Sequence, residues 1–264
     1  MGSAEVQGEL WSTNPAAWAE GAERKNQPLF EAVLERLDPQ PGTAVLDAGC
    51  GSGLFAELAA ERGLRVSGLD AAPGLIEYAS RRVPAGQFTV GELEALPYPD
   101  GAFDLVTAFN SVFYAANPRR VIAEMARVTG SGGHVVVTVG AGAEKSDLPK
   151  LVDVLRPLLA PADPDDDAAV PVTLSDIDQM RAEIERVGLG LLDQVEVPFP
   201  WIYQDVEEAL RGQTSSGPSQ AAIRHSGREA VEAALRGFFA QRTQPDGTIR
   251  MDLCFRYALA RQPG

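Results

Sequence analysis

The chain has 264 residues, 45% hydrophobic and 23% charged, which excludes collagen-like, low-complexity and wholly disordered chains and leaves enough length for a core without metal or disulfide staples. Asp+Glu number 37 against 23 Lys+Arg, a net charge of −14. So acidic a chain repels phosphate backbones and anionic lipid, so nucleic acid and membrane surfaces are not expected as partners. Cys50 and Cys254 lie far apart and outside any CxxC pair, and read as two reduced thiols of a cytoplasmic protein. No run of about 18 apolar residues suggests a membrane span. The start MGSAEVQGEL has neither a basic n-region nor an apolar h-region, and Met1-Gly2-Ser3 lacks the second signal that a lipid anchor needs.

Residues 15–37 carry apolar positions at helical spacing, broken by Asp38-Pro39-Gln40-Pro41-Gly42. Ala44, Val45 and Leu46 predict a short buried strand, stopped by a glycine-rich turn. A helix over 54–61, a strand over 64–69 ending at Asp70, a helix over 74–82 and a strand over 87–90 follow. After a turn at 97–101 come the strand FDLVTAF, a helix opened by Pro118 and running to about Val128, a turn at Gly130-Ser131-Gly132-Gly133, and the strand HVVVTVG. Strands alternating with helices over 43–140 predict a parallel sheet covered on both faces.

The second half opens with the acidic, proline-bounded loop PADPDDDAAVP (161–171). Ser175 is expected to cap a helix running to Val187, with Gly188 at its end. LLDQVEVPF predicts a sixth strand. Helical patterns over 205–211, from Pro218, and over 228–240 precede the turn Asp246-Gly247 and the final strand TIRMDLCFRYALA. The acidic runs Asp163–Asp167 and Glu207–Glu208 are expected to face solvent, and no carboxylate, His or Cys spacing suggests a metal.

The chemistry-bearing pattern is Asp47-x-Gly49-x-Gly51-x-Gly53 at the end of the first strand, followed by a helix. Glycines there let backbone approach a ligand at positive φ, and the helix offers free N–H groups. Asp70, ending the second strand, can accept hydrogen bonds from ribose hydroxyls. The dinucleotide fingerprint fails, because Leu54 stands where its third glycine belongs, and no P-loop Lys-Ser/Thr is present. A carboxylate leading the turn suits a cationic amino group better than a pyrophosphate. The ligand expected is a nucleoside carrying an ammonium.

VLDAGCGSG, SGLDAAPGLIEYA, GELEALPYPDGAFDLVTAF and RVTGSGGHVVVT, in that order, resemble the class I S-adenosylmethionine-dependent methyltransferases over about residues 43–140. The resemblance implies a Rossmann-like, doubly wound α/β fold with a seven-stranded, mostly parallel sheet whose last strand is antiparallel. It implies S-adenosylmethionine as cofactor, with S-adenosylhomocysteine as product. Carried over residue by residue, it implies Asp47, Gly49, Cys50, Gly51 and Gly53 at the methionine and ribose parts, Asp70 on the ribose hydroxyls and Ala71 beside the adenine. Glu92 stands where the family usually places an Asp for the adenine amino group, one methylene longer, and Leu93 would offer a backbone N–H to the ring. Phe113 and Tyr114 replace a His-His pair found in many relatives, which removes an easy general base.

Asn110, just past the fourth strand, is a candidate for the methionine end. His225 and Tyr114 are the candidate catalytic groups, His225 through its near-neutral titration. Residues 198–247 separate the last two strands, and connections that long are usually functional. They are expected to form a helical lid together with the N-terminal segment. Trp11, Trp18, Phe113, Tyr114, Trp201 and Tyr203 are the candidate substrate residues, since aromatics suit a mostly apolar pocket.

The organisation expected is one methyltransferase domain: an N-terminal helical segment (1–42), a cofactor-binding core (43–140), the rest of the core (141–197), the lid (198–247) and the last strand (248–264). The activity expected is methyl transfer to a small organic molecule, a specialised metabolite being one class. A pericyclic or decarboxylating enzyme, and a non-catalytic cofactor-binding protein, stay open as alternatives on the same fold. Acceptor atom and oligomeric state are not legible.

Overall fold

The computed structural model describes residues 4–161 and 177–264. Residues 162–171 of the acidic loop, with the run Asp163–Asp167, and the Ser175 cap lie outside the described residues. Seven strands form one sheet: β1 (Ala44–Ala48), β2 (Arg65–Asp70), β3 (Gln87–Val90), β4 (Phe103–Phe109), β5 (Thr129–Gly140), β6 (Gly190–Tyr203) and β7 (Ile249–Arg261). Their order is β3-β2-β1-β4-β5-β7-β6. Strand β7 pairs antiparallel with both β5 and β6, and the remaining pairs are parallel. The sheet is therefore mixed, with one reversed strand, as the sequence predicts.

Although last in the chain, β7 lies inside the sheet. Leu253, Phe255, Tyr257 and Leu259 of β7 are all buried. Strand β6 takes the edge, where Leu192 and Ile202 stay exposed. Pro198 and Pro200 suit that edge, since a central strand would need the N–H groups they lack. The predicted turn at 130–133 is instead part of β5, where the register against β4 shifts between Phe103 and Leu105. Gly133 fits there because a Cβ would come within 2.8 Å of the Asp104 carbonyl.

Side chains alternate between the two sheet faces: Val45 joins one apolar cluster and Leu46 the other. The first cluster gathers α3 (Gln27–Leu37), α4 (Leu54–Glu61), α7 (Leu148–Leu155), α9 (Val206–Thr214), α10 (Gly217–Ser226) and α11 (Arg228–Ala240). The second gathers α6 (Pro118–Val128) and α8 (Ile177–Arg186). Helix α5 (Pro73–Arg82) follows β2. Helix α7 was not anticipated from the sequence. Residues 198–203, expected to belong to the late helical segment, instead continue β6 before α9 begins at a cap in which Asp205 accepts the Glu208 N–H at 2.8 Å. Glu208 does not simply face solvent, since it pairs with Lys25 at 3.0 Å.

The N-terminal segment departs most from expectation. In place of one helical run over 15–37 there are α1 (Ala4–Trp11), a short α2 (Pro15–Ala17), a π turn (Trp18–Ala22), a 3-10 turn (Glu23–Asn26) and then α3. The π turn packs on α9 through glycines: a Cβ on Gly21 would lie 3.1 Å from Gly212 Cα. Lys25 fastens the 3-10 turn to β6 by donating to the Ile202 carbonyl at 2.8 Å. Segment and late helices thus meet over the carboxyl ends of the strands.

Candidate functional site

At those carboxyl ends lies a cavity of about 290 Å³. Its polar end is built from β1 and β2. Register places Thr107 of β4 opposite Asp47 of β1, and the Thr107 hydroxyl donates to Asp47 Oδ1 at 2.8 Å. The chain then turns through Gly49, Gly51 and Gly53, at φ of 84°, 55° and 83°, a region in which a side chain is strained. The Gly49 and Cys50 N–H groups donate to the Leu69 carbonyl at 2.7 and 3.0 Å. The Gly51 N–H donates to Asp70 Oδ2 and the Ala72 N–H to Asp70 Oδ1, each at 2.9 Å. Asp70 is thereby fixed in orientation, with further lone pairs to offer.

Charge is concentrated here. Asp47 is buried, which pushes its carboxyl up to about 7, with Glu23 and Asp70 adding to the rise. Burial also raises Asp70, against the pull of its backbone donors, and Glu23, against the pull of Arg82 and Ser52. The Cys50 thiol is pushed well up by burial and then by the three carboxylates around it. Glu23 is paired with Arg82, whereas among the described residues no ion pair reaches Asp47 or Asp70, and a cationic ligand would favour their charged forms.

Asp47, Gly49, Cys50, Gly51, Asp70 and Ala71 all line the cavity. Glu92, Leu93 and Asn110 line it too. Gly53 does not: it begins α4 behind the loop, where a Cβ would lie 2.9 Å from Ala79 Cβ, so its role is close packing. Asn110 holds a left-handed φ of 53°. Its N–H donates to the Thr138 hydroxyl at 3.0 Å, and that hydroxyl donates back to Asn110 Oδ1 at 3.3 Å. Glu92 accepts the Ala4 N–H at 3.1 Å, and Gly8 packs its Cα side onto the Ala71 carbonyl. Helix α1 thereby lies across this end of the cavity.

The opposite end is aromatic. Trp11 meets Trp18 edge-on with centroids 4.7 Å apart and Tyr114 at 5.7 Å, and Phe113 lies 4.5 Å from Tyr114. Phe109 packs at 4.7 Å against both Phe30 and Phe55. Helix α7 contributes Leu148, Leu151 and Leu155, and Trp201 of β6 completes the wall. Of the candidate substrate residues, Trp11, Trp18, Phe113, Tyr114 and Trp201 are brought together here. Tyr203 is not: it is fully buried beneath Lys25, with its hydroxyl accepting from Gln213 Nε2 at 2.8 Å.

His225 is also left out. It sits exposed in the last turn of α10, away from the lining residues, because the apolar face of that helix turns inward and carries the histidine outward. Burial raises the Tyr114 hydroxyl, so it is held protonated. Among the described residues, no histidine, lysine or arginine lines the cavity. Sequence reasoning missed Glu23 and Asn26, which line it from the 3-10 turn. The π turn explains why: the Glu23 N–H donates to the Trp18 carbonyl, so residues five apart share a face, whereas in an α-helix they would stand roughly 140° apart.

The comparisons agree with this architecture. Residues 46–137 match the model of a methyltransferase domain. The chain is 38% identical over 114 residues to a malonyl-[acyl-carrier protein] O-methyltransferase of Serratia marcescens, covering 43% of this chain and 45% of that one. It is 32% identical over 197 residues to methyltransferase GfsG of Streptomyces halstedii, covering 68% and 63%. Each match thus spans less than two thirds of the relative. Among solved structures, the YcgJ protein of Bacillus subtilis superposes with a TM-score of 0.61 at 22% identity, covering 89% of this chain and 98% of that one, a likeness of fold. The glycine loop, the two strand-end acids and this fold are similar to those of the class I S-adenosylmethionine-dependent methyltransferases, and residues 46–137 carry the matching methyltransferase domain.

Proposed function

We propose that this chain transfers the methyl group of S-adenosylmethionine to a small, largely apolar organic molecule, a specialised metabolite being the class favoured, and releases S-adenosylhomocysteine. One observation carries the reading: buried carboxylates at a glycine loop open directly onto an aromatic chamber. The residues fit the cofactor. Asp47 suits an ammonium, Asp70 offers lone pairs to ribose hydroxyls, and Ala71, Glu92 and Leu93, all in the cavity lining, are assigned to the adenine. When bound, the cofactor supplies an electrophilic methyl group on sulfur.

The chain's own contribution is position and dryness. Trp11, Trp18, Tyr114 and Trp201 hold an apolar acceptor and keep water out, and orientation of this kind lowers barriers by up to roughly 7–11 kcal/mol. Tyr114 can donate a hydrogen bond to the acceptor but cannot take its proton. The groups in the lining that could take a proton are the carboxylates Glu23, Asp47, Asp70 and Glu92, and an acceptor that arrives with a lone pair already available needs none of them. The N-terminal segment and α9–α11 act together as the cap.

Calorimetry with S-adenosylmethionine, S-adenosylhomocysteine and NAD side by side tests the cofactor. Heat with the first two and none with NAD is expected, and the reverse would sink the reading. Label passing from methyl-labelled cofactor to an apolar acceptor then tests the reaction. The absence of histidine and lysine from the lining, among the described residues, also favours a second reading, a cofactor-assisted step without methyl transfer, for which product would form without label.

A further inference from the structure

Glu23 stands outside every motif of the sequence, yet its carboxylate is heavily partnered behind the glycine loop. It is 5% exposed. Its Oε1 accepts the Ser52 N–H at 2.9 Å, and its Oε2 accepts both the Ser52 hydroxyl and Arg82 Nη1, the latter at 2.7 Å. Arg82 Nη1 also donates to the Ser52 carbonyl at 3.0 Å, while its Nε faces Glu57 at 3.5 Å. Burying a carboxylate and a guanidinium is no efficient route to stability, since well-packed apolar residues of similar volume often do as well or better. The cluster therefore asks for another role.

Its place supplies one. Two successive amides of the loop are held by carboxylates from different elements: the Gly51 N–H by Asp70, and the Ser52 N–H by Glu23. Loop backbone this rich in glycine has many open conformations, and these two contacts select one. A Cβ on Gly51 would come within 2.9 Å of Glu23 Oε1, so the carboxylate lies directly against the turn. Glu23 also belongs to the segment that carries Trp18 and Asn26 to the aromatic chamber. Arg82 ends α5, the helix that starts just after Asp70. Loop, strand-end acid and chamber wall are joined through one buried ion-paired cluster.

We propose that Glu23 is a cofactor-positioning residue that sets the glycine loop through Ser52 and links the N-terminal cap to occupancy of the cofactor site. The inference rests on reading the loop as an S-adenosylmethionine site. Pre-setting a loop raises affinity by removing the cost of ordering it on binding. Binding, in turn, tightens whatever is fastened to the loop.

Calorimetry with S-adenosylhomocysteine on the wild type, Glu23→Gln and Ser52→Ala tests it, alongside backbone hydrogen exchange with and without that ligand. Glu23→Gln is expected to bind about tenfold more weakly, and Ser52→Ala, which keeps its N–H contact, about threefold more weakly. In the wild type the ligand slows exchange over residues 11–26 as well as 47–53. In Glu23→Gln the slowing over 11–26 is lost while that over 47–53 survives, a split that general destabilisation would not produce. Affinity of Glu23→Gln within twofold of wild type, or undiminished protection of 11–26, overturns the proposal. Should that variant not fold, Ser52→Ala decides, and unchanged affinity overturns it. No heat from the wild type itself would bring down the cofactor reading, and this inference with it.

Discussion

Asp47 allows a test in which stability and binding move in opposite directions. Its carboxyl rises from 3.8 to about 7 on folding, chiefly through burial. A folded-state value above the unfolded one means that the native state holds the proton more tightly. The stability this confers is complete below about pH 4 and is lost progressively as pH rises to about 7. The full loss corresponds to about 4 kcal/mol as an upper figure, of which about 3 kcal/mol falls between pH 5 and pH 8. Asp47→Asn removes the ionisation and keeps the shape, and its amide oxygen can still accept from Thr107. The variant should therefore match the wild type most closely at pH 5 and exceed it by up to about 3 kcal/mol more at pH 8. It should also bind S-adenosylhomocysteine more weakly, because the ammonium loses its counter-charge. Wild-type affinity should weaken as pH falls below about 7, where Asp47 takes up its proton, and the variant should lack that dependence. Urea unfolding of both proteins at pH 5, 6, 7 and 8, with calorimetry at the same values, measures both effects. A stability difference that does not vary with pH, or a variant that binds as well as wild type, would refute the reasoning.

Three further outcomes follow from the cavity. Tyr114→Phe should lower turnover by less than about tenfold, because a hydroxyl held protonated supplies orientation, whereas loss of a true base costs typically 10²–10⁴. His225→Ala should leave turnover within about twofold of wild type; a fall in the range typical of a lost base would return this exposed residue to the site. Gly8→Ala pushes a methyl group against the Ala71 carbonyl. Calorimetry should show S-adenosylhomocysteine affinity reduced by about tenfold while circular dichroism stays unchanged, since overpacking by one carbon costs about 1–3 kcal/mol.

The glycine turn and its flanking acids were legible because their chemistry is local. The turn after β1 needs glycine for its positive φ values, the acid leading that turn lies two residues before Gly49, and Asp70 closes its own strand, so spacing along the chain carries the information. Helix α11 was legible for a similar reason, one apolar stripe recurring at a single period. The chamber was legible only in part. Trp201 is brought to it and Tyr203, on the same β-strand, is not, since β6 runs along the sheet edge and only the packing of Lys25 and α9 decides which ring is covered. His225 reads as a base candidate by residue type and is carried outward by the rotation of its helix. Glu23 could not be found, because the π turn that aligns it with Trp18 leaves no periodic mark and its partners Ser52 and Arg82 lie far along the chain. What the sequence determined by itself was the strand-to-helix order, the turn chemistry and the acids that flank that turn, all set by backbone preference over a few residues. Which side chains converge over the strand ends was decided only by tertiary packing, since contacts between distant segments depend on how buried surfaces fit and not on any residue's neighbours in sequence.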